Sequence, residues 1–410
     1  MKQVKILYGV SYMIYLVFLL DALLLTPVFN LNKYTSLLFP IIWLIIIFFI
    51  KKKIIINLQN PVLVSFLILY SYYIVFGILS LDSPMADAVF NEVYACLKFL
   101  TTIAVNVYLI VCLNALGDFL CISFITCSCF CLTRYVLYGM PLTAFSNISG
   151  ILSTNGRYRE SFGVFNVNST GNLAAVTIIM SFLLLAYIKD NTMKKRKLWI
   201  VLITVLDVFT FIVLLSSGSR NSILQIILFI LVYFYLNITE LRQISGCSKN
   251  ALRTFILIVV GVMICFNLKE EIWDLFVSSL RFKSFVIDIP IFIESKRILR
   301  GLGIFNVGLF AKGQNAYGNT VNVDNYYLYV LLETGIMGII LILFVLANIG
   351  IKLLKVKNRT QSSFTKFMLS AFVTLLIAGF GEACVIYYVF PSSMMLLTLF
   401  FSTIKIYYNS

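Results

Sequence analysis

Arg297, Arg300, Gly301 and Gly303 stand close together in a polar stretch that ends in Asp324 and Asn325. Glu333, Gly335 and Gly338 follow within the next apolar run. An arginine presents a planar fork of donors that matches two phosphate oxygens at once. Gly301 and Gly303 let the backbone come close to a ligand. A carboxylate such as Asp324 or Glu333 can take a proton from an attacking hydroxyl. Glu333 lies about two helical turns inside its run, where an ionisable side chain is a functional candidate by default. Gly335 and Gly338 also suit close helix packing.

Two further groups carry similar chemistry. Ser216-Ser217-Gly218-Ser219-Arg220-Asn221 falls between two apolar runs. Its hydroxyls can cap the second helix, which puts Arg220 in that helix's first turn. A cation is unfavourable there, and a bound diphosphate would justify it. The plain alternative is a snorkelling arginine in an ordinary turn. Gly156-Arg157-Tyr158-Arg159, with Phe165-Asn166-Val167-Asn168, precedes another run. Arg157 and Arg159 suit phosphate, while Asn168 and the tyrosine suit sugar hydroxyls. The alternative is a solvated loop. Asp207 and Glu382 also fall inside apolar runs, whereas Asp21 near a helix end reads as structural. The chain has no His, which excludes an imidazole base, a His metal site and a Ser-His pair. Its nine cysteines sit mostly in apolar runs without metal-ligand spacing, and read as packing residues. No metal and no cofactor are expected.

The elements that must position these residues are membrane helices. The chain is 61% hydrophobic and 12% charged, against about half and about a quarter for a soluble domain. Apolar runs long enough to cross about 30 Å of hydrocarbon recur throughout. The expected fold is an all-α polytopic membrane protein, one membrane domain over 1–410. Twelve spans are expected, near 6–25, 35–50, 61–80, 95–114, 118–137, 171–188, 198–216, 221–238, 254–268, 326–348, 367–389 and 391–407. The first run is too long for a signal sequence and lacks a cleavage site, so it reads as a retained span.

Basic residues tend to stay on the cytoplasmic side. With both termini in the cytoplasm, every clear basic cluster between spans falls inside, from Lys51–Lys53 to Lys352–Arg359. Together with Lys2, Lys5 and Lys405 at the ends, the inside segments hold nineteen of the 32 basic residues. The net charge of +15 is thus largely a topological signal, and no nucleic-acid partner is needed. The 81–94 loop, with Asp82, Asp87 and Glu92, falls outside. So do two loops that break the rule by carrying arginine, 138–170 and 269–325. Within the second, 271–298 is expected to form short amphipathic helices on the outer bilayer surface, divided at Pro290. No long internal repeat is visible, which counts against transporters built from two similar halves.

The order of these motifs resembles the O-antigen polymerase and O-antigen ligase families of bacterial surface-polysaccharide assembly. Those families have SGSR at an outer turn, then a G-x-G segment, then a [H/D]N-x-x-L stretch and E-x-G-x-x-G opening a span. Here they read Ser217-Gly218-Ser219-Arg220, Gly301-Leu302-Gly303, Asp324-Asn325-Tyr326-Tyr327-Leu328 and Glu333-Thr334-Gly335-Ile336-Met337-Gly338. The stretch from Arg157 to Asn168 is similar too, with Arg, then Gly-x-Phe, then Asn before a span. The resemblance covers about residues 155–345. It implies a metal-independent glycosyltransferase of the cytoplasmic membrane, acting on undecaprenyl-diphosphate-linked sugars at the outer face. The implied catalytic residues are Asp324, Glu333 and Arg220. Arg157, Arg159, Asn168, Arg297, Arg300, Gly301, Gly303 and Asn325 would bind the substrate and its diphosphate. The ligase branch typically has His where this chain has Asp324, which favours a polymerase. A flippase and a chain-length regulator would be its partners, alongside the bilayer. The alternatives are a flippase for lipid-linked oligosaccharide, with its charged residues in a central cavity, a non-catalytic scaffold, and a ligase of the same superfamily.

Overall fold

The computed structural model describes residues 2–29, 38–50, 60–81, 86–138, 159–191, 196–245, 288–290, 292–304, 325–382, 384–388 and 390–408. Among these the regular structure is helical, with one isolated β-bridge between Leu24 and Val164. The helices are α1 (Lys2–Asp21), α2 (Leu38–Ile50), α3 (Pro61–Ile78), α4 (Ala86–Leu113), α5 (Leu116–Tyr138) and α6 (Val167–Asp190). They continue with α7 (Arg196–Ser217), α8 (Arg220–Ser245), α9 (Tyr326–Thr360), α10 (Ser363–Ala378) and α11 (Pro391–Tyr407). Eight of them are long and apolar enough to cross a membrane. The chain is a multi-pass helical membrane protein.

Helices form here because a bilayer offers backbone groups no partner, so each span must close its own hydrogen bonds. Hydroxyls obey the same constraint. Thr102, Thr177, Thr210 and Ser370 each donate to the carbonyl four residues back. Other polar tips pair across helices. Trp43 Nε1 donates to Ser11 Oγ at 2.9 Å, Tyr8 donates to Asn106 at 2.9 Å, and the Tyr12 and Ser123 hydroxyls share a 2.9 Å hydrogen bond. These aromatics keep their rings in the core and satisfy their polar ends. Helices α6 and α11 are the inner ones, and every residue from Pro391 to Ile404 is buried. The apolar faces of α1, α2 and α7 are exposed instead, as lipid-facing surface.

The bundle has two chemically distinct ends. At one, Lys5 pairs with Asp118 at 2.8 Å and donates to the Asn114 carbonyl. Asp190 accepts from Phe364 N–H, Lys366 reaches Asn237, and Lys352 and Arg359 hold Tyr408. At the other end Glu160 N–H donates to the Ser216 carbonyl, Tyr326 N–H to that of Gly379, and Ile304 N–H to Ser80 Oγ. This division matches the alternation of sides expected along the chain. The two carboxylate oxygens of Asp21 accept from Val28 and Phe29 N–H, a structural turn as expected.

Eleven of the expected runs coincide with helices. The run at 254–268 lies outside the described residues. The largest boundary differences are three. Helix α9 runs on to Thr360 instead of ending near 348, so the basic residues Lys352 to Arg359 are helical. Helix α4 begins at Ala86 instead of near 95, so Asp87 and Glu92 are helical and not loop residues. Asp87 in the first turn favours the helix dipole, and polarity there mimicked a loop. Helix α10 ends at Ala378 instead of near 389. The connection that follows is non-helical yet includes the buried Glu382, Cys384, Val385 and Ile386. Hydropathy cannot tell such a segment from a helix, and irregular backbone survives at that depth only when packed inside protein.

Candidate functional site

Helix α9 starts at Tyr326, capped by Asn325, whose Oδ1 accepts from Leu328 N–H at 2.9 Å. The Asn325 amide nitrogen donates to the Phe380 carbonyl at 2.9 Å, so this side chain ties α9 to the connection after α10. Nine residues into the helix the ladder breaks. Gly335 adopts φ 68°, ψ −166°, a region essentially closed to side-chain-bearing residues.

The broken ladder is mended by the segment 297–304. Leu302 and Gly303 N–H donate to the carbonyls of Leu332 and Glu333, at 2.8 and 2.9 Å. In return Ile336 and Met337 N–H donate to the carbonyls of Ile298 and Leu299, at 2.9 and 3.3 Å. Backbone meets backbone so closely that a Cβ on Gly301 would stand 2.5 Å from Thr334 N, and one on Gly335 2.6 Å from Gly301 N. Gly301 itself has φ 76°. Beneath the segment, Phe292, Leu302, Leu328 and Leu332 form a small apolar cluster joined by Ile289 and Ile298. Of the stretch expected as amphipathic surface helices at 271–298, residues 271–287 lie outside the described residues, and the described apolar residues divide. Ile289 and Phe292 turn onto α9, while Ile293 stays exposed.

Next to this strap lies a small cavity, with room for roughly a water or two at about 20 Å³. Glu92 and Glu333 both line it, with Tyr72, Tyr73, Tyr326, Tyr329, Tyr387 and Tyr388, and with Cys96 and Ile304. Tyr329 donates to Glu333 Oε1 at 3.2 Å, and Tyr388 to Glu92 Oε2 at 2.6 Å. Tyr72 shares a hydrogen bond with Thr334 at 3.1 Å. Tyr387 and Tyr388 belong to the α10–α11 connection.

The serine-rich turn before α8 packs against α6. Ser219 and Ser222 hydroxyls meet at 2.8 Å, Ser219 N–H donates to Ser217 Oγ, and Gly171 of α6 lies directly against the three serines. Arg220 is the first residue of α8 and is half-buried. Arg159 donates to the side-chain oxygen of Asn168 in the first turn of α6. Asn221 donates to the Ala378 carbonyl at 3.4 Å.

The candidate residues therefore fall in two groups at one end of the bundle. Glu333, Gly301, Gly303 and Asn325 are brought together on α9 and its strap. Arg159, Asn168 and Arg220 gather where α6 and α8 begin. The segment 378–388 touches both groups, through Asn221 on one side and through Asn325, Tyr326 and Glu92 on the other. Arg297 and Arg300 lie exposed on the strap. Asp324 and Arg157 lie outside the described residues. Gly301 uses its close approach on the chain's own backbone. Among the described residues no group of three or more His, Cys, Asp or Glu is placed to hold a metal ion.

Sequence reasoning missed Glu92 and the tyrosine lining. The signal available was the recurrence of tyrosine doublets, at 72–73, 326–327 and 387–388, each with a hydroxyl to satisfy inside an apolar protein. Compared with known protein families and with characterised proteins, the chain matches none.

Proposed function

We propose that this protein is a polymerase that joins undecaprenyl-diphosphate-linked oligosaccharide repeat units into a surface polysaccharide. The observation that carries this reading is the meeting, at one end of the bundle, of the motif-bearing stretches: the strap at 297–304, the Glu333–Gly335 break and the arginine turn before α8. Exposed Arg297 and Arg300 at that end suit the diphosphate of a lipid anchored in the adjoining leaflet. The protein would reside in the bacterial cytoplasmic membrane with both termini inside and this end outside. Twelve crossings follow if the run at 254–268 is counted with the eleven helices.

In the reaction, an acceptor hydroxyl of the incoming unit attacks the anomeric carbon of the growing chain. The carbon–oxygen bond to the diphosphate breaks, and undecaprenyl diphosphate leaves with the electron pair. Arg220, Arg297, Arg300 and Arg157 stabilise the charge developing there. Asp324 or Glu333 takes the hydroxyl proton. Arg159, Asn168 and Asn325 position the sugars. No nucleotide sugar enters, and the working partners are a flippase and a chain-length regulator.

A second reading, a lipid-linked oligosaccharide flippase, draws support from the carboxylates Glu92 and Glu333 on a cavity among the helices. One experiment separates the two. Lipid-linked glycan from cells lacking the protein is resolved on a gel and its membrane side determined. Single units accumulating outside, with no ladder, mean a polymerase. Single units held on the cytoplasmic face mean a flippase.

A further inference from the structure

Glu92 belongs to none of the motif-like stretches, yet it shares the cavity with Glu333. We infer that Glu92, in place of Asp324 or Glu333, is the proton acceptor of the transfer, meeting the acceptor hydroxyl inside this cavity, an inference that rests on the polymerase reading and revises only its base. Three observations carry it. The cavity has room for about one or two waters, which is the size of a sugar's hydroxyl end and not of a ring. One oxygen of Glu92 is already fixed by the 2.6 Å hydrogen bond from Tyr388, which leaves the other free to face the cavity. Finally, Glu333 is only 5% exposed beneath the strap, whereas Glu92 is half-buried near the start of α4 and better able to return a proton to water.

The chemistry balances. The acceptor oxygen forms a bond to the anomeric carbon as that carbon's bond to the diphosphate oxygen breaks. The electron pair leaves on the diphosphate, and the hydroxyl proton passes to Glu92. No acid is needed, because diphosphate is a stable anion. Glu333, held by Tyr329, is left to orient a neighbouring hydroxyl. The end of α10 brings the Ala378 carbonyl to Asn221, next to Arg220, and the connection after it brings Tyr388 to the proton acceptor.

The test uses the full-length protein expressed from its own locus as wild type, Glu92→Gln and Glu92→Asp. Glycan length is read by gel and protein level by immunoblot. Loss of proton acceptance is worth about 10²–10⁴ in rate, so Glu92→Gln should cut polymer at least about a hundredfold at normal protein level, with Glu92→Asp keeping a clear ladder. A wild-type ladder in Glu92→Gln overturns the inference, and so does equal loss in both variants. Should Glu92→Gln fail to accumulate, wild-type membranes carrying endogenous lipid-linked units are treated with dicyclohexylcarbodiimide. Polymer formation should fall in step with the adduct mapped at Glu92. Inactivation with Glu92 unmodified overturns the inference. Failure of the polymerase reading looks different: cells lacking the protein altogether would still make the full ladder, or would trap single units inside.

Discussion

Replacing Gly301 by alanine should open the strap over α9. Four backbone hydrogen bonds hold it, from Leu302, Gly303, Ile336 and Met337. At a net ~0.5–1.5 kcal/mol each they contribute about 2–6 kcal/mol. Alanine at φ 76° costs about 1–2 kcal/mol for the left-handed backbone. Its Cβ would also press on the Glu333–Thr334 peptide, an overpacking worth about 1–3 kcal/mol. The combined penalty of about 2–5 kcal/mol is comparable to the docking energy itself, so a large share of molecules should have the strap undocked. Cys96 reports this, since it lines the cavity beside Ile304 and is only 5% exposed. With each ~1.4 kcal/mol worth tenfold, N-ethylmaleimide should alkylate Cys96 at least about thirtyfold faster in Gly301→Ala, read by peptide mass spectrometry of the detergent-solubilised protein. Cys131, 2% exposed in the main core, is the internal reference for global unfolding. Leu299→Ala, at a side chain 66% exposed, should change neither. The reasoning fails if Cys96 in Gly301→Ala reacts at the wild-type rate, or if Cys131 accelerates in step with it.

Asn325→Ala removes a cap worth about 0.5–2 kcal/mol and leaves the Phe380 carbonyl without its donor, so the thermal midpoint in detergent should fall, with Asn325→Asp intermediate. The hydroxyl pair Tyr12–Ser123 is buried between α1 and α5, so Tyr12→Phe should cost about 1–3 kcal/mol, and a double-mutant cycle with Ser123→Ala should show coupling in the thermal midpoint. Arg220→Ala and Arg297→Ala should each abolish polymer at normal protein level, and normal glycan length in both would remove the arginines from the reaction. In a cysteine-free background, Arg300→Cys should react with an impermeant maleimide on intact cells, and Lys355→Cys only after lysis; the reverse would invert the proposed orientation.

Most of the helical architecture was legible because a bilayer imposes one rule on every span, and the rule is written in composition. The basic clusters likewise forecast which ends would meet, and Lys5 beside Asp118 or Lys366 beside Asn237 follow from them. What stayed hidden is where that rule is locally suspended. Glu92 read as loop because a carboxylate in a span's first turns resembles the polar edge of a connection. The segment after α10 read as helix because its buried residues are as apolar as a span. Gly335 read as a close-packing glycine. Its positive φ, and the strap that repairs the break, depend on contacts between residues some thirty positions apart in the chain, which a single sequence does not display.

The stretch Glu333-Thr334-Gly335 therefore combines two jobs that a motif cannot separate. The Glu333 carbonyl and Gly335 hold the strap through backbone alone, while the Glu333 side chain faces the cavity. Thr334 joins them, since its hydroxyl bonds the Val330 carbonyl and meets Tyr72. A glycine variant here disturbs the strap, the cavity roof at Ile304 and the setting of Arg297 and Arg300 together, so a loss of polymer in it says nothing about which group meets substrate. Glu333→Gln is different. It keeps the backbone bond to Gly303 and the volume of the side chain, and it alters only the carboxylate. The same separation applies at Glu92, whose role reaches the strap only through the shared cavity. Side-chain chemistry and backbone architecture are thus divided within single motif stretches, and the carboxylates, the arginines and the tyrosine hydroxyls are the groups on which the proposed polymerase reading has to be tested.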